Sequence, residues 1–117
     1  MEIDRTSKEQ SFYIAVILYE SSSSASEYKP LYEECFVLIK ATFLEEANEK
    51  ALIYAREQKG SYQNEYNDTI TWSLKQVVDV NSVLYDEFDD GTELYARHFR
   101  NYEAYRLFEP LLSNEEL

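Results

Sequence analysis

Phe12 to Tyr19, Phe-Tyr-Ile-Ala-Val-Ile-Leu-Tyr, is the longest apolar run in the chain, and it is apolar at every position rather than at alternate ones. Eight residues rich in β-branched and aromatic side chains read as a strand over Ser11–Tyr19, far short of the roughly 20 that a membrane-spanning helix needs. Along it Phe12, Ile14, Val16 and Leu18 face one side, and Tyr13, Ala15, Ile17 and Tyr19 face the other. A strand that is apolar on both faces belongs inside a sheet covered on both sides, or against a partner. This strand is the feature to which the rest of the fold must answer.

A second strand, Tyr32–Ala41, carries Cys35-Phe36-Val37-Leu38-Ile39 and is again apolar on both faces. Between the two, Ser21–Ser24 and the polar residues up to Pro30 read as a loop. Thr42-Phe43-Leu44-Glu45 has the form of a capping box, with the Thr42 hydroxyl capping and Glu45 reaching back. It opens a helix over about 43–59, in which Leu44, Ala47, Ala51 and Ala55 share one face and let the helix lie close to a sheet. Early Glu45, Glu46 and Glu49 and late Arg56 and Lys59 suit the helix dipole, and Gly60 is the expected C-terminal stop.

Beyond it, Ser61–Tyr66 reads as a short strand, Asn67-Asp68 as a hairpin turn, and Thr69–Val80 as a long strand. In that strand Ile70, Trp72, Leu74, Val78 and Val80 alternate with polar residues, while Gln76 and Val77 break the pattern. Val83–Phe88 is a weaker strand, Asp89-Asp90-Gly91 a turn, and Thr92–Phe99 a returning strand, with a helix across 92–109 as the competing reading. Asn101–Glu109 reads as a short C-terminal helix ended by Pro110. The expectation is one α+β domain over 11–112, with frayed ends at 1–10 and 113–117. Its mostly antiparallel sheet has four to five strands, with the long helix on one face. The other face is covered by the C-terminal segment or a second subunit.

Charge narrows the function. The chain has 117 residues, with 23 Asp and Glu against 11 Lys and Arg, for a net charge of −12. Acids are spread evenly over both halves, so the negative field is a property of the whole surface. That disfavours nucleic acid, whose phosphates need clustered cations. The one cysteine, Cys35, allows no internal disulfide and no thiolate zinc site. Met1-Glu2-Ile3-Asp4-Arg5 has neither the basic region nor the apolar stretch of a signal peptide, which points to the cytoplasm without membrane attachment.

Asp79, Asp86, Glu87, Asp89, Asp90 and Glu93 form an acidic segment without a Lys or Arg. It fails as a calcium loop, because Phe88 and Arg97 stand where the third and twelfth ligands belong when the loop starts at Asp86. Asp86, Asp89 and Asp90 remain weak candidates for a divalent cation; the plainer reading is a solvated turn. His98, beside Arg97 and Arg100, is the lone histidine and reads as structural or surface. With two glycines in the whole chain, no phosphate-cradling loop exists. Cys35 reads as a core residue, and acid pairs such as Glu33-Glu34 and Glu45-Glu46 are those that chance supplies. Arg97, Arg100 and Arg106 balance the acidic segment. The eleven tyrosines fill core edges or supply a protein interface.

In order along the chain, Phe12–Val16, Tyr32–Ala41, Glu45-Glu46-Ala47 and Lys50-Ala51 resemble a family of small bacterial, cyanobacterial-type proteins, the domain-of-unknown-function family numbered 4288. Tyr62 and Asn64, Trp72 with Val77-Val78-Asp79-Val80, and Asp90-Gly91-Thr92-Glu93-Leu94-Tyr95 continue it. Asn67-Asp68 stands where that family tends to place a glycine before the Trp strand. The resemblance implies a compact bacterial α+β domain and brings no activity, cofactor or catalytic residue.

The expected function is therefore a non-enzymatic, acidic protein-binding module without a cofactor. The expected partner is a protein, with a basic one the partner to look for, and Tyr85, Glu87, Asp89, Asp90, Glu93 and Tyr95 are the candidate contact residues. Alternatives are an immunity- or inhibitor-type protein against a basic toxin or nuclease, and a small-molecule or cation-binding domain using 86–93. A homodimer also stays open.

Overall fold

A computed structural model describes residues 9–58 and 60–113. It is α+β: β1 (Ser11–Ser23), β2 (Tyr32–Ala41), α1 (Leu44–Glu57), β3 (Gly60–Gln63), β4 (Thr69–Ser82), α2 (Tyr102–Phe108) and α3 (Pro110–Ser113). The strands form one antiparallel sheet in the order β2-β1-β4-β3. The doubly apolar β1 is thus an inner strand, as its pattern requires. Of the ends expected to fray, only Glu9, Gln10 and Ser113 fall within the described residues.

The inner face of the sheet packs on α1. Tyr13, Ala15, Ile17 and Tyr19 of β1, Ile39 and Ala41 of β2, and Ala47, Ala51 and Ala55 of α1 make the core, flanked by Cys35, Val37, Trp72, Leu74, Val77 and Val80. The three alanines are fully buried, so no bulky side chain of α1 holds the helix away from the core residues of the strands. Tyr19 donates its hydroxyl to the Ala55 carbonyl (3.3 Å), in the last turn of the helix, where the same carbonyl also accepts from the Gln58 N–H (3.4 Å).

The broken alternation in β4 has a geometric cause. Ile17 pairs with Val77 and Val16 with Asp79, while Tyr19 pairs with Leu74 and Leu18 with Gln76, so Val78 and Lys75 are each skipped by a bulge. The inner-face residues of β4 therefore run Ile70, Trp72, Leu74, Val77, Val80. Val78, expected among them, belongs to a bulge.

Several local expectations are corrected. β1 does not stop at Tyr19; it continues through Ser23, and Ser21 is fully buried. Leu31 satisfies that serine, its N–H donating to the Ser21 Oγ (2.8 Å) and its carbonyl accepting from the Ser21 N–H (2.9 Å). The N-cap of α1 is Phe43 rather than Thr42, and Glu46 rather than Glu45 reaches back, accepting from the Thr42 N–H (3.2 Å). α1 has 14 residues, shorter than expected; its C-cap is Gln58, and Lys59 lies outside the described residues. Gly60 is not a left-handed cap: it starts β3 and pairs with Trp72.

The β3–β4 hairpin turns over Asn64–Asp68. Asn67 takes the left-handed conformation (φ 67°), and the Asn64 Oδ1 accepts from the N–H groups of Tyr66 (2.9 Å) and Asp68 (3.0 Å). Asparagine is the non-glycine residue best suited to that conformation, which explains its place here.

Residues 83–99 contain neither the strands nor the helix that their sequence offered. Val83 still bonds to β1 through the Phe12 carbonyl (2.9 Å), after which the chain crosses the outer face of the sheet. A segment lying over a face cannot join the ladder, so side chains hold it: Phe88 against Phe12 (ring centroids 5.0 Å) and Tyr95 against Phe36 (6.0 Å). α2 is capped by Asn101, whose side chain accepts from the Ala104 N–H (3.0 Å). Pro110 does not merely end it; it opens α3, where its fixed φ suits a first helical position.

Candidate functional site

The acidic turn holds itself together. The Asp89 N–H donates to the Thr92 Oγ1 (2.9 Å), the Thr92 N–H to the Asp89 carbonyl (3.0 Å), and the Asp90 N–H to the Asp89 carboxylate (2.8 Å). Gly91 sits at φ 89°, open to glycine and costly for other residues. Tyr85, Asp86, Glu87, Asp89, Asp90 and Glu93 are all exposed around it, and Tyr85, Glu87, Asp90 and Glu93 line a shallow depression of about 260 Å³. Among the described residues no three His, Cys, Asp or Glu side chains converge as metal ligands would. Asp86, Asp89 and Asp90 thus form a surface turn with its own hydrogen bonds, not a preformed cation cage.

Tyr95 is placed differently. It is half-buried, and its hydroxyl donates to the Asp79 carboxylate on the outer face of β4. Arg97 approaches the same carboxylate (4.0 Å). Burial, the bond to Asp79 and that group's negative charge together push the Tyr95 phenol up to about 12 against the opposing charge of Arg97. Tyr95 is therefore a neutral anchor for the crossing segment at any ordinary pH.

That anchor frames a recess of about 570 Å³ between the outer face of β2 and the C-terminal arm. Phe36 and Tyr95 form one wall; Phe99, Tyr105 and Phe108 form the other, with Phe99 stacked on Tyr105 at 4.8 Å. Glu34, Arg97, His98 and Glu109 give the rim a mixed charge. Phe36 is 62% exposed and Phe108 69%, so the aromatic rings look into solvent. The recess thus combines solvent-open apolar rings with a rim of both charge signs. Of the contact residues expected from sequence, Tyr95 alone belongs to this recess. Phe36, Phe99, Tyr105 and Phe108 were missed, because the recess joins positions some sixty to seventy residues apart and no local spacing signals it.

Cys35 lies on the opposite face, in a recess of about 220 Å³ with Tyr19, Glu33, Tyr54 and Trp72. Its thiol donates to the Glu33 carboxylate (3.0 Å). Burial, followed by that bond and the carboxylate's charge, pushes the thiol up to about 11, so it stays protonated and unreactive. His98 stands exposed on the rim of the aromatic recess. No helix among the described residues is long and apolar enough to cross a membrane.

A family model described as a domain of unknown function (DUF4288) matches residues 12–96. The matched span holds all of the sheet but Ser11, together with α1 and the Tyr95 anchor, and it stops short of the arm that forms the recess's second wall. No curated protein and no solved structure matches the chain.

Proposed function

The chain belongs to the DUF4288 family, and on that premise we propose that it is a non-enzymatic protein-binding module of the bacterial cytoplasm. One observation carries the reading: five aromatic rings from β2, the crossing segment and the arm gather around a solvent-open recess with a charged rim. A net charge of −12 favours a basic partner, which the field of the whole molecule would draw in and speed to encounter. An immunity-type role against a basic toxin or nuclease is one form of this reading.

The test is retention of a partner from the source cell on immobilised wild-type chain, against Phe36→Ser and Phe108→Ser variants. A partner kept by the wild type, shed by both variants and shed by added salt supports the module. A partner kept equally by all three, or none at all, removes it. Asp89→Asn with Asp90→Asn in the acidic turn separates the two surfaces: loss there instead would move the contact to residues 85–93.

A further inference from the structure

The two edges of the sheet differ. β3 is four residues long and fully exposed, the short polar edge that sheets tolerate. β2 is ten residues long, apolar through its middle, and also an edge. Its backbone orientation follows from two bonds. The Phe12 carbonyl accepts from Val83 on the β4 side, whereas the Ser21 N–H donates to Leu31 on the β2 side. Even-numbered residues of β1 thus turn their backbone groups toward β4. Their β2 partners, Glu34, Phe36, Leu38 and Lys40, turn theirs outward to the open edge. Lys50 Nζ donates to the Lys40 carbonyl there, as an outward-pointing group allows.

Apolar side chains flank this edge above and below. Phe36 and Leu38 lie exposed on the outer face (62% and 48%), and Ile53 and Tyr54 of α1 flank it on the inner face. The β2 sequence is also self-complementary. In an antiparallel pairing centred on Val37, Phe36 faces Leu38, Cys35 faces Ile39, and Glu34 faces Lys40 of the other copy. Apolar meets apolar and acid meets base on both sides of the centre.

We propose that β2 pairs with β2 of a second copy of this chain about a two-fold axis at Val37, fusing two four-stranded sheets into one. The outward backbone groups of residues 34–40 become a hydrogen-bonded ladder. Two Glu34–Lys40 pairs fix the register, a local attraction that works against the net repulsion of two acidic chains. Like-charged residues directly opposite destabilise a strand pair, whereas opposite charges stabilise it. A symmetric pairing of this kind closes on itself and leaves no free long edge.

Sedimentation equilibrium of the full chain from micromolar to sub-millimolar concentration is the first measurement, and a dimer is expected. Glu34→Lys puts Lys opposite Lys, and Lys40→Glu puts Glu opposite Glu. Each should weaken the dimer about ten-fold, and the two together should restore it to within about three-fold of wild type. Both side chains are exposed, so an unchanged far-ultraviolet circular dichroism spectrum of the variants verifies their fold independently of the dimer.

Crosslinking reads the register. In the proposed pairing Val37 meets Val37 as a non-hydrogen-bonded pair with Cα atoms about 4.5 Å apart, a separation that a disulfide can bridge. Val37→Cys in a Cys35→Ser background should therefore crosslink on mild oxidation. Wild-type Cys35 should not, since its copy lies four residues along the strand, roughly 13 Å away. A monomer throughout, single swaps without rescue, or a Cys35–Cys35 disulfide would each overturn the proposal.

Discussion

Tyr95 donates its hydroxyl to Asp79, sixteen positions earlier, and with that bond a segment without regular structure is tied to the outer face of the sheet. Two ring contacts, Tyr95 with Phe36 and Phe88 with Phe12, and the approach of Arg97 to Asp79 fasten it further. Tyr95 thus sets where the crossing segment lies and where the aromatic recess begins.

Tyr95→Phe should cost about 1 kcal/mol, discounted for the half-exposed site, and lower the melting temperature by about 4 °C. The pH dependence has a definite sign. Because the phenol is raised from 10.0 to about 12, the unfolded chain loses its proton first. The stability that the residue contributes is complete below pH 10 and declines as pH rises toward 12. Melting followed between pH 8 and 11.5 should show a shallower alkaline decline in the Phe variant; an identical decline would mean that the bond does not form in solution.

Ala51 is buried between α1 and the strands, and the close approach of helix to sheet depends on its small size. Ala51→Leu keeps helix propensity and adds volume, so it should destabilise by about 3 kcal/mol through overpacking. Ala51→Ser, nearly isosteric, should cost less. Urea denaturation of the three proteins measures the order, and a tolerated leucine would show that the helix stands further from the sheet.

Cys35 should resist modification. With its thiol raised from 9.0 to about 11, the thiolate fraction near pH 8 is roughly 100-fold below that of an ordinary cysteine. Reaction with a thiol reagent should be correspondingly slow in the native chain and fast in denaturant. Glu33→Gln should quicken the native rate by removing the neighbouring negative charge; an already fast native rate would place the thiol in open solvent.

Ser21→Ala leaves the part-buried Leu31 N–H without its hydroxyl partner, at an expected cost of about 1 kcal/mol. Hydrogen exchange should quicken at the Leu31 amide in particular. Protection equal to wild type there would show that the loop closes by other means.

Much of the scaffold is written in local pattern. The doubly apolar Phe12–Tyr19 run names an inner strand, and Ala47, Ala51 and Ala55 name the helix face that meets it. Legibility ends where a distant residue decides the outcome. Ser21 reads as loop until Leu31 bonds to both its N–H and its hydroxyl, and Gln76-Val77 reads as noise until the pairing with β1 shows two bulges. Thr92–Phe99 has the composition of a strand, but Tyr95 is bound to Phe36 and Asp79 on the outer face, and the chain crosses that face instead of pairing. The recess was illegible for the same reason, since Phe36 and Phe108 become neighbours through tertiary structure alone.

The bulges at Lys75 and Val78 bear on the shape of the whole sheet. From Tyr13 to Ser23, β1 spends eleven residues on a path for which β4, from Ile70 to Ser82, spends thirteen. At about 3.3 Å per residue, β4 carries up to roughly 7 Å of surplus length, like the outside lane of a curved track. The surplus bends the strand, and the sheet curls with it. Lys75 and Val78 thus act as spacers that set the radius of the curve, and the fit between the alanine face of α1 and the strands is fixed partly by two residues outside the core.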